Sequence, residues 1–578
     1  MKKYLFLAIA LLGLASCAKE DLTNGNEPIH NGEIEESYIA INLSASDVTR
    51  AETTTPVFED GEAAERAVNH VDFFFFDEAG NPFNVVGNPA VAPGGGRNHL
   101  RAIDVTFTKD SEGTDDDDIS DTSSPVLLLQ TYKGHYPSQI VAVLNWSTDT
   151  NKSYSLDELH NAVDIQGTFN STKYFVMSNA VYASSGKTVN ATALPESSIK
   201  KTKDEAKDVP ISIYVERVAA KVAVSTNSDS NVIKLNKPFD GMISVGELGQ
   251  KDVYAKILGW ELYNDNTKSY LLKQIDPTWS VDDIGFNWND SPWYRSYWAT
   301  SLGRPAGDDN SFQMKYDNYE AEGFTTEYGF AMGGATYVGE NTNGKQSGTK
   351  VILKAQLVDA AENGQPLEIA SWYGNKYVGE ENLLTAVANS LKYTLFYYDE
   401  ANRKYIGITP EDLQCVAGGT TEAPTGVDAN EVYFQLSDKQ GCGKNRLGGW
   451  YKLVEGEYKP VADNLNPDKY SVEATNGYLK TIQPGILYKD GETFYYIDIK
   501  HLGAPNSLAE YGVVRNHIYN VIINSIGGYG SPVYVGTSDI IDPKYPDIED
   551  AEESFVSAQI NILSWRLVNQ TVDIQPQN

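Results

Sequence analysis

The chain has 578 residues, which is too long for a single hydrophobic core and predicts two or more domains. Hydrophobic residues make up 41% of the chain and Tyr (36) outnumbers Phe (19), which favours twisted β-structure with many turns over a helix bundle. The formal net charge of −33 argues against nucleic-acid binding, which requires clustered Lys and Arg.

Residues 1–16 are typical of an export signal: Lys2 and Lys3 precede the apolar run YLFLAIALLGLA, which is too short to span a membrane. The run ends in LASC, small residues ahead of a cysteine, which resembles the lipobox of bacterial lipoproteins. This pattern predicts cleavage before Cys17 and lipidation of that cysteine, so that the precursor is held at the outer membrane by its lipid alone. The alternative is an ordinary signal peptide with a chance cysteine.

Short β-branched or aromatic runs, bounded by Gly, Pro, Asn or Asp, predict strands along the rest of the chain. They include VNHVDFFFFD (68–77), PVLLLQTY (125–132), QIVAVLNW (139–146), ISIYVERVAAKVAVS (211–225), VYAKILGWELY (253–263), KVILKAQLV (350–358), TFYYIDI (493–499) and VRNHIYNVIINSI (514–526). A few short helices are expected, such as one after Ser155, with Glu158 completing a capping box. Antiparallel β-sandwiches fit this spacing, so we predict an all-β fold.

Composition changes along the chain divide it into segments. The signal peptide (1–16) and a propeptide (17–50) precede an N-terminal β-sandwich domain (51–228), which ends at the polar stretch STNSDSN. A C-terminal β-sandwich domain (229–535) follows. The polar, Pro-containing stretch 536–553 is expected to be a tether, so 536–578 form a tether with a last strand.

Motifs for catalysis or metal binding are absent from the sequence. The seven histidines are scattered without an HExxH pattern, and no phosphate-binding loop or nucleophile elbow occurs. Asp115–Asp118 could bind a cation but are more typical of a solvated charge run. We therefore predict no enzyme, no cofactor and no metal site.

Two further features have more than one interpretation. Cys415 and Cys442 could form a disulfide in an oxidising compartment or stay reduced. Trp288, Trp293, Tyr294, Tyr297 and Trp298 could pack under a long loop, which we favour, or form a platform for a glycan.

Two segments near opposite ends of the chain have the same alternating pattern. In the first, Ile39, Ile41, Leu43 and Ala45 fall on one face of a strand; in the second, Val556, Ala558, Ile560 and Ile562 do so. They share a local pattern, AINL in the first and QINI in the second. Both could be ordinary strands of one sandwich, even paired with each other. Alternatively, both fit one groove of a sheet that accepts aliphatic side chains at every second position.

The residues around the first strand favour a shared groove. The strand ends near Arg50 and Ala51, where TRAETTT predicts an exposed loop open to a protease. A cut after Arg50 would remove the strand and leave the groove open as a template for another strand. If the C-terminal strand of a neighbouring copy filled it, the contact would be heterologous and would propagate as a filament.

Several blocks of the chain together resemble a known family. The blocks LASC, SYIAINLS (37–44), YVERVAAKVAVS (214–225), VVRNHIYNVIINSI (513–526) and ILSWRLVNQTVDI (562–574), in this order and spacing, are similar to those of the type V pilins. The resemblance implies two transthyretin-like β-sandwich domains, lipoprotein export and cleavage by a trypsin-like protease. It also implies polymerisation through a C-terminal donor strand. It places the cut at Arg50, with Arg66 as an alternative, and includes Trp565 in the donor segment.

We therefore expect a shaft subunit of a surface fimbrium that supports adhesion, because shaft subunits have both a cleavage site and a donor strand. Expected partners are identical subunits in a head-to-tail polymer, accessory tip and anchor subunits, the maturation protease, and host or bacterial surface receptors. The alternatives are an accessory or anchor subunit, or a non-polymerising lipoprotein that binds glycans.

Overall fold

A computed structural model describes most of the chain between residues 34 and 564. The described residues are 34–45, 65, 68–85, 97–103, 122–123, 126–147, 152–160, 162–164, 174–180, 182–184, 187–227, 230–266, 268–274, 300–301, 311–312, 333–428, 430–501, 510–532 and 556–564. Cys17, Arg50, Ala51, Arg66, Trp565, Asp115–Asp118, the aromatic residues 288–298 and the tether 536–553 lie outside them.

The first structural unit holds twelve strands and two short helices among the described residues. The strands are β1 (Ile34–Ala45), β2 (His70–Phe76), β3 (His99–Ile103), β4 (Thr122–Ser123), β5 (Val126–Tyr132), β6 (Gln139–Leu144), β7 (Ala162–Asp164), β8 (Met177–Asn179), β9 (Tyr182–Ser184), β10 (Lys187–Val189), β11 (Thr192–Ala193) and β12 (Ile211–Arg217); the helices are α1 (Leu156–Leu159) and α2 (Lys203–Lys207).

Strand β1 lies inside the main sheet of this unit rather than outside it. The strand order is β3-β2-β6-β8-β12-β1-β4, with β11 beside β6 and β5 also paired to β1. The core includes all four phenylalanines of β2, Phe73–Phe76, which have no exposed surface. Ser155 caps α1 and forms the predicted capping box with Glu158, although the helix is only one turn long.

The rest of the described chain holds the remaining strands and three helices. The strands are β13 (Ala219–Thr226), β14 (Val232–Lys234), β15 (Phe239–Ser244), β16 (Glu247–Lys251), β17 (Tyr254–Tyr263), β18 (Asp265–Asn266), β19 (Lys268–Tyr270), β20 (Ser311–Phe312), β21 (Ala335–Gly339), β22 (Lys350–Val358), β23 (Ile369–Trp372), β24 (Asn375–Val378), β25 (Leu395–Asp399), β26 (Lys404–Gly407), β27 (Leu413–Ala417), β28 (Val432–Leu436), β29 (Trp450–Val454), β30 (Glu457–Pro460), β31 (Ile486–Tyr488), β32 (Glu492–Asp498), β33 (His517–Ile526) and β34 (Val556–Ser564); the helices are α3 (Gly344–Ser347), α4 (Glu380–Leu391) and α5 (Val472–Leu479).

The second core is a sandwich of two sheets. One has the order β20-β18-β21-β13-β33-β34 and the other β14-β17-β22-β32. Trp260, Tyr495 and Tyr519 fill the space between them and have at most 1% of their surface exposed. With this sandwich, the predicted all-β fold with a few short helices is confirmed.

The chain crosses from the first core to the second at Val218, between β12 and β13. The run ISIYVERVAAKVAVS therefore forms two strands that belong to different sheets. The division predicted at 228 lies on the C-terminal side of this crossing.

A third hydrophobic core lies between β22 and β32 in the sequence and was not predicted. It contains buried side chains from Ala370 to Leu487, with Trp450 and Phe434 among the largest. Helix α4 buries Leu383 and Val387 in it, as its amphipathic spacing requires. Cys415 and Cys442 belong to this region, and no disulfide joins them.

Candidate assembly site

Besides a two-residue pairing with β4, strand β1 bridges two longer ladders, one with β5 and one with β12. Its first part, Ile34–Ala40, runs antiparallel to β5, with Ile39 opposite Leu127. Its second part, Ile41–Ala45, runs parallel to β12, with Ile41 opposite Ile211. Each half satisfies a row of backbone N–H and C=O groups on its partner. A strand in this position can leave only by opening both ladders.

The described aliphatic side chains on the inward face of β1 are buried in the first core. Ile39 and Ile41 have no exposed surface, and they share the core with Leu129 and Ile213. Burial of each isoleucine side chain contributes roughly 1.5–3 kcal/mol. The structure describes only the backbone of Leu43 and Ala45, which continues the pairing with β12. Two of the four predicted placeholder side chains thus lie in the core.

Polar contacts fix the beginning of β1, and the sequence did not predict them. Glu35 accepts a hydrogen bond from the hydroxyl of Tyr136 and another from the backbone N–H of Gly134, the latter at 3.3 Å. The hydrogen bond from Tyr136 is the main cause that lowers the pKa of Glu35, and the charges of Lys201 and Lys133 add to it. The large sequence separation between Glu35 and Tyr136 hides this contact from pattern analysis.

The next residues of β1 are held by the segment before α2. The backbone of Tyr38 exchanges two hydrogen bonds with Lys200, at 2.7 and 2.8 Å. The ammonium group of Lys203 lies 6.0 Å from the centre of the Tyr38 ring, within cation–π range. Three lysines, Lys200, Lys201 and Lys203, fall within four residues here, ahead of the acidic residues of α2.

The C-terminal strand β34 belongs to a sheet of the second sandwich and does not lie beside β1. It runs antiparallel to β33, with Ile562 opposite Tyr519 and Ile560 opposite Val521. It is the last strand of its sheet among the described residues, so only one neighbour holds its backbone. The two similar strands therefore belong to different sheets and do not pair with each other in this chain.

A buried network of charges joins the two cores where β12 passes into β13. Lys273 and Glu216 form an ion pair of 3.0 Å, and neither side chain has exposed surface. Arg515 pairs with Glu340 at 3.1 Å and donates to the carbonyl oxygen of Tyr270 at 2.7 Å. Paired and hydrogen-bonded charges are the form in which buried ions are tolerated. The residues VVRNHIYNV, which carried much of the family resemblance, thus have a structural role here.

Two buried histidines accompany this network. His517 contacts the carbonyl oxygen of Arg515 through Nδ1 at 2.7 Å, and His501 contacts the hydroxyl of Tyr519 at 2.9 Å. Burial is the main cause that lowers the pKa of His517 to about 4, and it lowers the pKa of His501 as well. Both imidazoles are therefore neutral at physiological pH.

The described residues offer little for other kinds of site. They contain no group of three or more His, Cys, Asp or Glu side chains that could hold a metal ion. Within the same residues, no helix is long and apolar enough to cross a membrane.

Comparison with known proteins gives a family match at the C-terminal end and distant structural similarities. The family model described as major fimbrial subunit protein type IV, fimbrillin, C-terminal, matches residues 486–571, which include β31 to β34. No curated protein matches the chain.

Solved structures are similar only distantly. A protein assigned to cell adhesion from Parabacteroides distasonis is 12% identical, with a TM-score of 0.33, and the match covers 92% of this chain and 98% of that one. The tip fimbrial protein Mfa3 from Porphyromonas gingivalis, with C-terminal truncation, is 12% identical, with a TM-score of 0.23 and coverage of 92% and 100%. TM-scores this low do not assign a fold or a role to the present chain. Residues 486–571 thus resemble the C-terminal region of a fimbrillin, which agrees with the pilin resemblance of the sequence in this part of the chain.

Proposed function

We propose that this chain is the shaft subunit of a surface fimbrium and that it polymerises by strand exchange at the position of β1. The observation that carries the proposal is the placement of β1. A strand at the N-terminal end of the chain fills the interior of a sheet and contributes Ile39 and Ile41 to the core. Its loss would expose Leu127, Leu129 and Ile213 together with two open ladders.

Proteolysis after Arg50 is the step that would release this strand. Arg50 follows shortly after β1 ends at Ala45, so a cut there separates β1 from the body of the first unit without interrupting β2. The lipid on Cys17 would hold the precursor at the outer membrane until this cut. A trypsin-like protease would make this cut, because such proteases cleave after arginine or lysine.

The vacated position would then receive the C-terminal strand of a neighbouring copy. Strand β34 suits this role because its backbone is held on one side only and can detach from β33 without breaking the interior of its sheet. Val556, Ala558, Ile560 and Ile562 repeat the aliphatic pattern of Ile39, Ile41, Leu43 and Ala45. Donor and acceptor are different surfaces, so the contact continues from copy to copy.

The proposed assembly sets the role and the partners. Identical subunits form the shaft, accessory subunits form its tip and anchor, and the fibre supports adhesion to host or bacterial surface receptors. An accessory subunit that uses the same exchange once, at a fixed place in the fibre, is the second candidate.

N-terminal sequencing of protein taken from the cell surface tests the proposal. A mature chain that begins at Ala51 supports release of β1. A lipidated Cys17 as the only mature terminus would overturn the shaft assignment.

A further inference from the structure

The two similar segments share an acidic motif ahead of their aliphatic residues. Glu35, Glu36 and Ser37 are followed by Tyr38 at the beginning of β1, and Glu552, Glu553 and Ser554 are followed by Phe555 just before β34. An aromatic residue thus follows the same three residues in both places. The aliphatic residues begin at the next position in each segment, Ile39 in one and Val556 in the other.

In the first sheet, hydrogen-bond donors and positive charges surround the copy of this motif in β1. Tyr136 and the backbone N–H of Gly134 donate to Glu35, and the side chain of Gln130 donates to Glu36 at 3.3 Å. Lys133 and Lys201 place positive charge beside Glu35. All of these groups belong to parts of the chain that stay when residues up to Arg50 are removed.

We propose that residues Glu552–Ile562 of a second copy enter the position of β1 in the register that puts Glu552 where Glu35 was. This inference rests on the strand exchange proposed above. In this register Val556, Ala558, Ile560 and Ile562 take the positions of Ile39, Ile41, Leu43 and Ala45, one for one. The acidic pair meets the tyrosine and the lysines, and the aliphatic face meets the core.

A competing register follows from the shared pattern of AINL and QINI. It puts Ile560 at the position of Ile41, so every donor residue moves by two positions. Ser554 then stands at the position of Glu35 and leaves the donors of Tyr136 and Gly134 without a carboxylate. Val556 would replace Ser37, whose side chain is 3% exposed, in a site that accommodates a small residue.

The proposed register avoids both costs. Ser554 replaces Ser37 without a change of residue type, and a carboxylate again accepts from Tyr136. Hydrogen bonds to charged acceptors are about twice as strong as neutral ones, so the acidic pair would fix the register at the beginning of the strand.

Cysteine pairs test the register. In β1, Tyr38 lies opposite Leu128, with Gln130 and Val126 two positions away on either side. We combine Phe555→Cys with Leu128→Cys, Gln130→Cys or Val126→Cys, each with Cys442→Ser, and oxidise the trimmed subunits after assembly. The proposed register predicts covalent ladders for the Leu128→Cys pair, at least about tenfold more than for the other two pairs.

The outcomes separate the register from the exchange itself. Ladders that form mainly with Gln130→Cys would show polymerisation in the competing register and overturn the inference while the proposed function stands. Ladders mainly with Val126→Cys would do the same for a shift in the other direction. If no variant and no trimmed wild-type protein forms a polymer, both the proposed function and the register are overturned.

A double-mutant comparison tests the acidic motif. Glu552→Gln is expected to slow polymer growth about fivefold to tenfold with the wild-type acceptor and to have no further effect with the Tyr136→Phe acceptor. Glu549→Gln, a charge-matched change outside the motif, serves as the control and should leave the rate unchanged. Equal effects of Glu552→Gln on both acceptors would overturn the contact with Tyr136.

Discussion

Glu65 and Lys221 form an ion pair of 2.8 Å in which the carboxylate has only 1% of its surface exposed. The backbone carbonyl oxygen of Glu65 also accepts a hydrogen bond from the side chain of Arg217 at 3.0 Å, and the Glu65 carboxylate accepts one from the hydroxyl of Tyr337. A protease must draw several residues on each side of the cut into an extended conformation. These contacts hold the residue before Arg66 and would have to break for a cut there.

The contacts of Glu65 predict which arginine is cleaved. Arg50→Ala should leave the chain unprocessed when limiting trypsin-like protease is added, whereas Arg66→Ala should be processed like the wild type. Mass measurement of the products distinguishes a cut after residue 50 from one after residue 66. Normal processing of Arg50→Ala together with resistance of Arg66→Ala would contradict this assignment.

Truncation of a buried side chain of β1 should destabilise the precursor. Ile39→Ala removes a fully buried side chain and is expected to lower the free energy of unfolding of the precursor by about 2–5 kcal/mol. Leu248→Ala, at a side chain that is 79% exposed, is the control and should change it by less than about 0.5 kcal/mol. Chemical denaturation measures both, and equal effects would show that β1 is not packed as described.

The buried ion pair of Lys273 and Glu216 gives a third prediction. Lys273→Met leaves the carboxylate of Glu216 buried without its ion-pair partner, at a cost of about 3–5 kcal/mol in the free energy of unfolding. Adding Glu216→Gln should recover much of that loss, because an uncharged amide is less costly to bury. Thermal unfolding of the two variants checks this. A double variant that is no more stable than Lys273→Met would contradict the role of the unpaired charge.

Acid should destabilise the second core through His517. Its pKa is lowered to about 4 in the folded chain, while an unfolded histidine has a pKa of about 6.5. The folded state therefore binds fewer protons than the unfolded state between these values, and stability falls as the pH drops from about 6.5 to about 4. The loss is on the order of 3 kcal/mol.

A variant and a control isolate this effect. His517→Asn keeps a donor near the carbonyl oxygen of Arg515 but does not titrate, so its stability should depend less on pH over this range. His135→Gln, at an exposed position, should behave like the wild type. Denaturation at pH 7 and pH 4.5 provides the comparison, and an unchanged pH dependence in His517→Asn would exclude His517 as the cause.

Local pattern was enough to locate many strands but not their partners. The alternation of Ile39 and Ile41 predicted β1, and Ser155 with Glu158 predicted the cap of α1. The pairing of β1 with β5 and β12 joins residues far apart in the sequence, and no single-chain pattern encodes such contacts. The same reason hid the contact of Glu35 with Tyr136.

The division into cores was harder to predict for two reasons. The run from Ile211 to Ser225 contains no Gly, Pro, Asn or Asp that would mark a turn, yet it changes sheet at Val218, where the backbone leaves one core and enters the next. The third core uses the same short strands and turns as its surroundings, so composition gave no sign of it. Its side chains are recognised as a separate core only from their packing around Trp450 and Phe434.

The most direct test of strand exchange is the assembly state of trimmed subunits with and without the C-terminal strand. Precursor is cut after residue 50, and its size is measured in solution and on SDS gels without boiling. Strand exchange predicts SDS-resistant ladders for the wild type and only monomers when residues 554–578 are deleted. Wild-type subunits that remain monomeric after complete trimming, or ladders that persist without residues 554–578, would contradict it.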